Sequence, residues 1–212
     1  MLFLNTVKSE TYELLKKLMR IPELSEFVLV GGTNLSLKFG HRISIDLDLF
    51  TDKPFDLDEV FTGIIKTLPQ TIKLDQRKQT IWLNIDGIKV DIILHQYPYL
   101  RPIEIIDGVR FMSVEDVIPM KLEAMATRGV KKDFWDINEL LNYYSLPQMI
   151  EFYQAKYPNS DVGHVLLSMT YFVDAEYQKD NPEDLKGTTW EEVKTNMRKT
   201  IEQYVKTGLN KI

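Results

Sequence analysis

The stretch that decides the fold is residues 27–50, which read FVLVGGTNLSLKFGHRISIDLDLF. It opens with a short apolar strand that runs into Gly31-Gly32-Thr33. A short helix is predicted over 34–39, because Gly40 stands where a left-handed cap residue is favoured. A second strand is predicted over 43–50, where apolar and polar residues alternate. The local order is therefore strand, glycine-rich turn, helix and strand.

The alternation in the second strand separates its side chains into two faces. We expect the core face to carry three apolar residues, Ile45, Leu47 and Leu49. Asp46 and Asp48 then project from the other face, about 7 Å apart. Such a pair also occurs on half-solvated edge strands, but the apolar neighbours favour a central strand, where uncompensated carboxylates are expensive. The pair therefore predicts a bound cation.

A third carboxylate stands in another strand-like run, residues 88–94 (IKVDIIL), whose apolar residues define a core face that excludes Asp91. Asp91 could join Asp46 and Asp48. Because the chain has no Cys, oxygen-ligated hard cations are the default metals. Three carboxylates on neighbouring strands could hold two Mg²⁺ ions around a nucleoside triphosphate (NTP) substrate, and Asp91 could also accept the proton of an attacking hydroxyl.

The glycine-rich turn offers what phosphates need from a protein. Gly31 and Gly32 let the backbone approach closely, the following helix exposes N–H groups at its N-terminus, and Thr33 adds a hydroxyl. The alternative is a plain strand-to-helix turn. The position of the turn, one short helix before the paired carboxylates, favours phosphate binding.

Composition sets wide bounds on the class of protein. The chain has 212 residues, 44% of them hydrophobic, and a formal net charge of -5. It has no apolar run of membrane-spanning length and no secretory signal at its N-terminus, so we expect a cytoplasmic protein without a membrane partner. The negative charge argues against a surface that is basic throughout, but it allows a local patch for nucleic acid.

The remaining pattern predicts an α+β fold followed by a helical C-terminal region. Asn5 is expected to cap a first helix and Asp56 a later one, and two Asp-Gly pairs, 86–87 and 107–108, are typical of hairpin turns. After residue 112 the pattern becomes helical, with helices predicted at 114–127, 131–144, 148–156 and 161–173, and a last one capped by Thr189. We expect a core domain over 1–112 and a helical domain over 113–212 that completes an active-site groove.

Two charged residues of the helical half fall on or beside apolar stripes. Lys121 lies near the middle of the apolar arc of its helix, and Asp133 lies at the edge of the next one. Lys121 could grip a triphosphate or simply pair with Asp133 inside the protein. Three basic residues crowd the loop between the helices and could contact phosphates or RNA, or only be solvated: Arg128, Lys131 and Lys132.

The quoted stretch closely resembles the opening of the AbiEii/AbiGii toxin family of nucleotidyltransferases, in the DNA polymerase β-like superfamily. Residues 87–91 (GIKVD) resemble the third-carboxylate strand of that family, and residues 120–124 (MKLEA) and 128–137 (RGVKKDFWDI) resemble its helical Lys and Lys-Asp motifs. The resemblance covers roughly residues 28–141. The superfamily more often has Gly-Ser where this chain has Gly32-Thr33, which keeps a hydroxyl.

The resemblance implies a polymerase β-like core built on a mixed sheet. It implies metal ligation and catalysis by Asp46, Asp48 and Asp91, and catalytic roles for Lys121 and Asp133. Nucleotide or phosphate contacts are expected from Gly31, Gly32, Thr33, Arg42, Ser44, Lys121, Lys132 and Asp136.

The resemblance also implies a toxin of an abortive-infection toxin-antitoxin pair, with a cognate antitoxin as a possible partner. Some members transfer a nucleoside monophosphate (NMP) onto tRNA, so a tRNA 3′ end is the expected acceptor. The alternatives are a hydroxyl on a small molecule or a protein, or a protein that binds nucleotide without turnover.

Overall fold

The structure, a computed structural model, describes residues 1–209. The described chain divides into two units. The first comprises Met1–Gly40 and Ser44–Ser113, and the second comprises His41–Ile43 and the chain from Val114 onward. The predicted boundary after residue 112 lies one residue before this division. The sequence did not predict that three residues from the opening stretch group with the helical unit.

A mixed sheet of seven strands, counted over residues 1–209, forms the centre of the first unit. Its strands are β1 Val28–Val30, β2 Leu47–Thr51, β3 Ile72–Arg77, β4 Thr80–Ile85, β5 Ile88–Leu94, β6 Glu104–Ile106 and β7 Val109–Phe111. Their spatial order is β3-β4-β5-β2-β1-β7-β6. The β2/β5 and β1/β7 pairs are parallel and the other pairs are antiparallel. The predicted α+β fold with a mixed sheet is confirmed.

The helices of the first unit include α1 Ser9–Leu18, α2 Gly31–Phe39 and α3 Leu57–Thr67. The Asp56 carboxylate caps α3 by accepting from two backbone N–H groups, as predicted. The cap predicted at Asn5 is wrong, because Leu4–Thr6 forms a separate 3₁₀ turn and α1 starts only at Ser9.

Both Asp-Gly hairpin turns are confirmed by their backbone angles. Asp86 and Gly87 have φ values of 53° and 82°, and Asp107 and Gly108 have 51° and 77°. Two successive positive φ angles are the requirement of a type I′ turn, which matches the twist of the strands that it joins. The turns connect β4 to β5 and β6 to β7.

The second predicted strand begins later than expected. β2 starts at Leu47, and Ile45 is 60% exposed, so its predicted place on the core face is wrong. The preceding residues are held elsewhere, since Ile43 donates its N–H to the Glu183 carbonyl in the second unit. The helix α2 also begins directly at Gly31, three residues before its predicted start.

The alternation of β2 and β5 builds the core of the first unit. Leu47 and Leu49 on β2 and Val90 and Ile92 on β5 are all 1% exposed or less. Side chains of α1 and α3 and of the neighbouring strands belong to the same apolar cluster. Burial of this face leaves the intervening side chains of β2 and β5 on the opposite face.

The second unit is helical. Its helices are α4 Val114–Arg128, α5 Lys131–Leu140, α6 Leu146–Lys156, α7 Val162–Ser168, α8 Val173–Glu176 and α9 Trp190–Leu209. The single helix predicted over 161–173 is wrong, because α7 ends at Ser168 and α8 begins only at Val173. Thr189 and Glu192 form the reciprocal cap at the start of α9, as predicted. Within residues 1–209, no helix combines the length and apolarity needed to cross a membrane.

Arg110 on β7 fastens the chain that leads into β1. Its guanidinium donates to the backbone carbonyls of Met19, Leu24 and Phe27 at 2.8–2.9 Å. We expect Arg110→Met to lower the free energy of unfolding by about 2–3 kcal/mol, because partly buried carbonyls lose charged donors. Chemical denaturation measures the effect. The control Arg101→Met removes an exposed arginine and should change stability by less than about 0.5 kcal/mol; equal losses would contradict the anchoring role.

Candidate active site

The parallel pairing of β2 with β5 brings two of the predicted carboxylates together. Asp48 and Asp91 are direct register partners. Neighbouring strands are about 4.8 Å apart, and partners in register project from the same face of the sheet. Since Leu47 and Val90 lie on the core face, Asp48 and Asp91 share the other face.

Asp46, the remaining carboxylate of the predicted three, lies just before β2. Its backbone carbonyl accepts a hydrogen bond from the Thr33 hydroxyl, and Thr33 Oγ1 also lies 2.8 Å from Ser44 Oγ. Thr33 is only 1% exposed. Its hydroxyl therefore fastens the segment that carries Asp46 to the first turn of α2. The phosphate contacts predicted for Thr33 and Ser44 stay predictions.

Gly31 allows the backbone to pass directly beside the Asp48 carboxylate. Asp48 is the register partner of Val30, the residue that precedes Gly31. Gly31 has a φ of 69°, and a Cβ at this position would overlap Asp48 Oδ2. A glycine is thus required here by both conformation and space. α2 starts at this point, and its N-cap residue, Val30, makes no side-chain capping hydrogen bond.

Lys89 lies beside Asp91, and the sequence did not predict a role for it. Its ammonium donates to Asp91 Oδ2 at 2.7 Å. Burial lowers the pKa of Lys89, but the hydrogen bond and charge of Asp91, together with the charges of Asp48 and Asp46, outweigh it and leave the pKa raised. The i, i+2 spacing on β5 was the available signal, because it places Lys89 and Asp91 on one face.

The donor set of this face fits a divalent cation such as Mg²⁺. Asp91 is 8% exposed, and its Oδ1 is buried without a hydrogen-bond partner among residues 1–209. Carboxylate oxygens are the ligands that Mg²⁺ prefers, and a buried oxygen with unused lone pairs is costly unless a cation or donor meets it. As the side chains stand, no three His, Asp or Glu residues in the described chain form a ready-made metal-binding group.

The second unit contains a buried ion network centred on Asp136 of α5. The Asp136 carboxylate is 0% exposed and accepts from Arg42 Nε and Nη2 at 2.7 and 2.8 Å. His41 Nε2 and Lys121 Nζ contact it at 2.8 and 2.6 Å. Burial alone would raise the pKa of Asp136, but the charges of Arg42 and Lys121 hold it well below its usual range.

Asp133 extends this network by one turn of α5. Lys121 Nζ lies 3.2 Å from Asp133 Oδ1, so the predicted internal pair is present, although the contact with Asp136 is shorter. Arg128, weighed from sequence as a phosphate or RNA contact, binds both Asp133 oxygens, at 2.7 and 2.8 Å. His41 is also part of the network, because residues 41–43 group with this unit.

The catalytic and nucleotide-binding residues predicted in the second unit differ in exposure. Lys132 is exposed, whereas Arg42, Lys121, Asp133 and Asp136 are 5% exposed or less. Their charged atoms contact one another within the unit, which gives each of the four buried residues a structural role. The catalytic and phosphate-binding roles predicted for these five residues stay predictions.

Known proteins resemble this chain in sequence or in fold. The sequence profile of the AbiEii family, described as nucleotidyl transferase toxins of type IV toxin-antitoxin systems, matches residues 13–206. Uncharacterized protein aq_aa25 of Aquifex aeolicus (strain VF5) is 34% identical over 205 residues, which cover 94% of this chain and 98% of that protein.

Two solved structures share the fold at low sequence identity. A Helicobacter pylori protein assigned to the nucleotidyltransferases has a TM-score of 0.57 and 18% identity, covering 96% of this chain and 98% of its own. The nucleotidyltransferase toxin MenT4 of Mycobacterium tuberculosis H37Rv has a TM-score of 0.55 and 13% identity, covering 92% and 84%.

The mixed sheet of the first unit is part of a fold that the two solved structures share, and the family match gives the class of this chain as a nucleotidyltransferase. The match of the family profile over residues 13–206 identifies the family. The chain belongs to the AbiEii family of nucleotidyltransferase toxins.

Gly31→Ala tests the close approach of the backbone to Asp48. Gly87→Ala is a matched control, because Gly87 also has a positive φ, 82°, but a Cβ there meets nothing within 4 Å. Both variants should lose about 1 kcal/mol of unfolding free energy from backbone strain. Only Gly31→Ala should also displace the Asp48 carboxylate and reduce nucleotidyl transfer. Equal activity in the two variants would contradict the role given to Gly31.

Asp136→Asn tests the buried ion network through the pH dependence of stability. Because the folded pKa of Asp136 is depressed, its stabilisation is present above the ordinary carboxyl pKa and is lost as pH falls toward the folded value. We expect the variant to lose about 3–5 kcal/mol at neutral pH, since Arg42 and Lys121 stay buried with a weakened partner.

The stability difference between wild type and Asp136→Asn should shrink below pH about 4. Denaturation at several pH values measures it. The control Asp174→Asn changes an exposed carboxylate of the same unit and should leave stability nearly unchanged. A difference between wild type and Asp136→Asn that is small at neutral pH, or that does not depend on pH, would refute the assignment.

Proposed function

We propose that this nucleotidyltransferase transfers an NMP from an NTP to the 3′ end of tRNA and releases pyrophosphate, as the toxin of an abortive-infection toxin-antitoxin pair. The observation that carries the proposal is the register pair of Asp48 and Asp91, directly beside the glycine turn at Gly31. Membership of a nucleotidyltransferase family favours catalysis over nucleotide binding without turnover.

Asp46, Asp48 and Asp91 would hold the divalent ions, which we propose to be two Mg²⁺. Carboxylate oxygens are suitable Mg²⁺ ligands, and Asp48 is paired with Asp91 in register. Asp91 Oδ1 also has no hydrogen-bond partner among residues 1–209. When bound, Mg²⁺ supplies positive charge that activates a hydroxyl and stabilises a triphosphate leaving group. Lys89 must then share Asp91 with the cation or move away.

The start of α2 would bind the phosphates of the NTP. The helix dipole favours an anion at this end, and the N-cap residue, Val30, makes no capping hydrogen bond there. Gly32 is buried and, having no side chain, leaves the backbone open to close approach. Negative charge on the phosphates would also be balanced by the ammonium of Lys89, which carries a full positive charge at neutral pH.

The transfer requires one bond to form and one to break. The acceptor hydroxyl oxygen attacks the α-phosphorus, and the bond from that phosphorus to the oxygen bridging to the β-phosphate breaks, so that pyrophosphate leaves with the electron pair. Asp91 Oδ1 would accept the hydroxyl proton; this oxygen is buried and makes no hydrogen bond within residues 1–209. The Thr33 hydroxyl keeps the segment of Asp46 in position during this step.

The toxin and acceptor assignments rest on the family. Its description places its members in type IV toxin-antitoxin systems, which supports a cognate antitoxin as a partner of this chain. A tRNA acceptor follows from the resemblance stated above. MenT4, which shares the fold, is described as a nucleotidyltransferase toxin.

Asp48→Asn tests the assigned chemistry. Purified protein is incubated with Mg²⁺, each α-labelled NTP and total tRNA, and label is followed into RNA and protein. We expect labelled tRNA from wild type and a loss of at least about 100-fold in Asp48→Asn, because the carboxylate that pairs with Asp91 is neutralised. The matched control Asp86→Asn alters an exposed turn residue that tolerates Asn and should keep full activity.

The outcomes separate the acceptors. Label in tRNA supports the proposed acceptor, and label in polypeptide replaces it with a protein hydroxyl. Full activity of a folded Asp48→Asn variant would refute the site. No label in any macromolecule would refute the tRNA assignment, and a small hydroxylated acceptor would then be tested in the same assay.

A further inference from the structure

Lys89 is a cation built into the carboxylate face of the first unit. Its Nζ lies 2.7 Å from Asp91 Oδ2, while the side chain itself is 49% exposed. Asp91 by contrast is 8% exposed. The charges of Asp48 and Asp46 also act on this ammonium, in addition to that of Asp91.

The two oxygens of Asp91 are in different states. Oδ2 is held by Lys89, and Oδ1 is buried and has no partner within the described chain. A divalent ion can bind both oxygens of Asp91 only if it competes with the Lys89 ammonium for Oδ2. Two cations on one carboxylate repel each other, and the half-exposed lysine is the one that can turn away into solvent.

We propose that Lys89 acts as an internal counter-ion that weakens metal binding in the absence of nucleotide and couples metal binding to the arrival of the triphosphate. The inference rests on the proposed function, since it concerns the same three carboxylates. A triphosphate brings several negative charges and gives the displaced ammonium a new partner. Metal and nucleotide then each improve the binding of the other, and the coupling is reciprocal.

The alternative is that Lys89 is only a surface ion pair with a small effect on stability. A surface pair would leave metal affinity unchanged when its charge is removed. If Lys89 is a counter-ion, metal affinity should rise when its charge is removed, because loss of the ammonium frees Asp91 Oδ2 for the metal. It also predicts that arginine, which keeps the charge, substitutes for lysine in this respect.

The test measures Mn²⁺ binding by electron paramagnetic resonance, with and without an NTP analogue that carries an α,β-methylene bridge and cannot react. Without nucleotide, Lys89→Gln should bind Mn²⁺ roughly fivefold more tightly than wild type, the size expected for loss of one partly exposed charge contact. The analogue should strengthen Mn²⁺ binding by wild type and do so less in Lys89→Gln. Lys89→Arg should behave as wild type.

Asp48→Asn separates this inference from the proposed function. If Asp48→Asn loses Mn²⁺ while Lys89→Gln and wild type bind it equally, the metal site stands and the counter-ion is refuted. If wild type and Lys89→Gln both fail to bind Mn²⁺, with or without the analogue, the metal site and the counter-ion are refuted together. Lys89 is half exposed, so chemical denaturation should show Lys89→Gln folded with nearly unchanged stability.

Discussion

The parallel pairing of β2 with β5 is the constraint on which the candidate site depends. These strands lie in the middle of the sheet, and burial of Leu47, Leu49, Val90 and Ile92 fixes which face each one presents to the core. A shift of one residue in either strand would turn a carboxylate into the apolar cluster and an apolar side chain outward. The energy of core burial thus holds Asp48 beside Asp91, although the two charges repel each other.

The chain neutralises its internal carboxylates in two different ways. In the second unit, Asp136 is 0% exposed and is met by the guanidinium of Arg42 and the ammonium of Lys121, both of which are buried. In the first unit, Asp91 is met by a lysine that is half exposed. A buried cation cannot move away from its carboxylate without exposing an unpaired charge to the low-dielectric interior. An exposed lysine can move from the carboxylate into solvent at small cost. Only the arrangement in the first unit, with its half-exposed lysine, suits a site that must accept a cation.

Much of the local structure could be predicted because its causes are local. The Asp-Gly pairs give two hairpins, Asp56 caps its helix, and Gly40 takes the left-handed position after α2. The failures have two kinds of cause. Ile45 is exposed, α1 starts late and the helix predicted over 161–173 breaks, because each depends on contacts with residues distant in sequence or on a competing local turn. Periodicity does not report such contacts.

The sequence by itself determined the faces of two carboxylates: alternation put Asp48 on the polar side of its strand and Asp91 on the polar side of its own. Only the tertiary structure decided their partners. It paired Asp48 with Asp91, set Gly31 against the Asp48 carboxylate, turned Lys89 toward Asp91 and recruited His41 and Arg42 to Asp136. The reason is that a strand or helix period fixes the face of a side chain, whereas the neighbour across that face depends on which distant segment packs there.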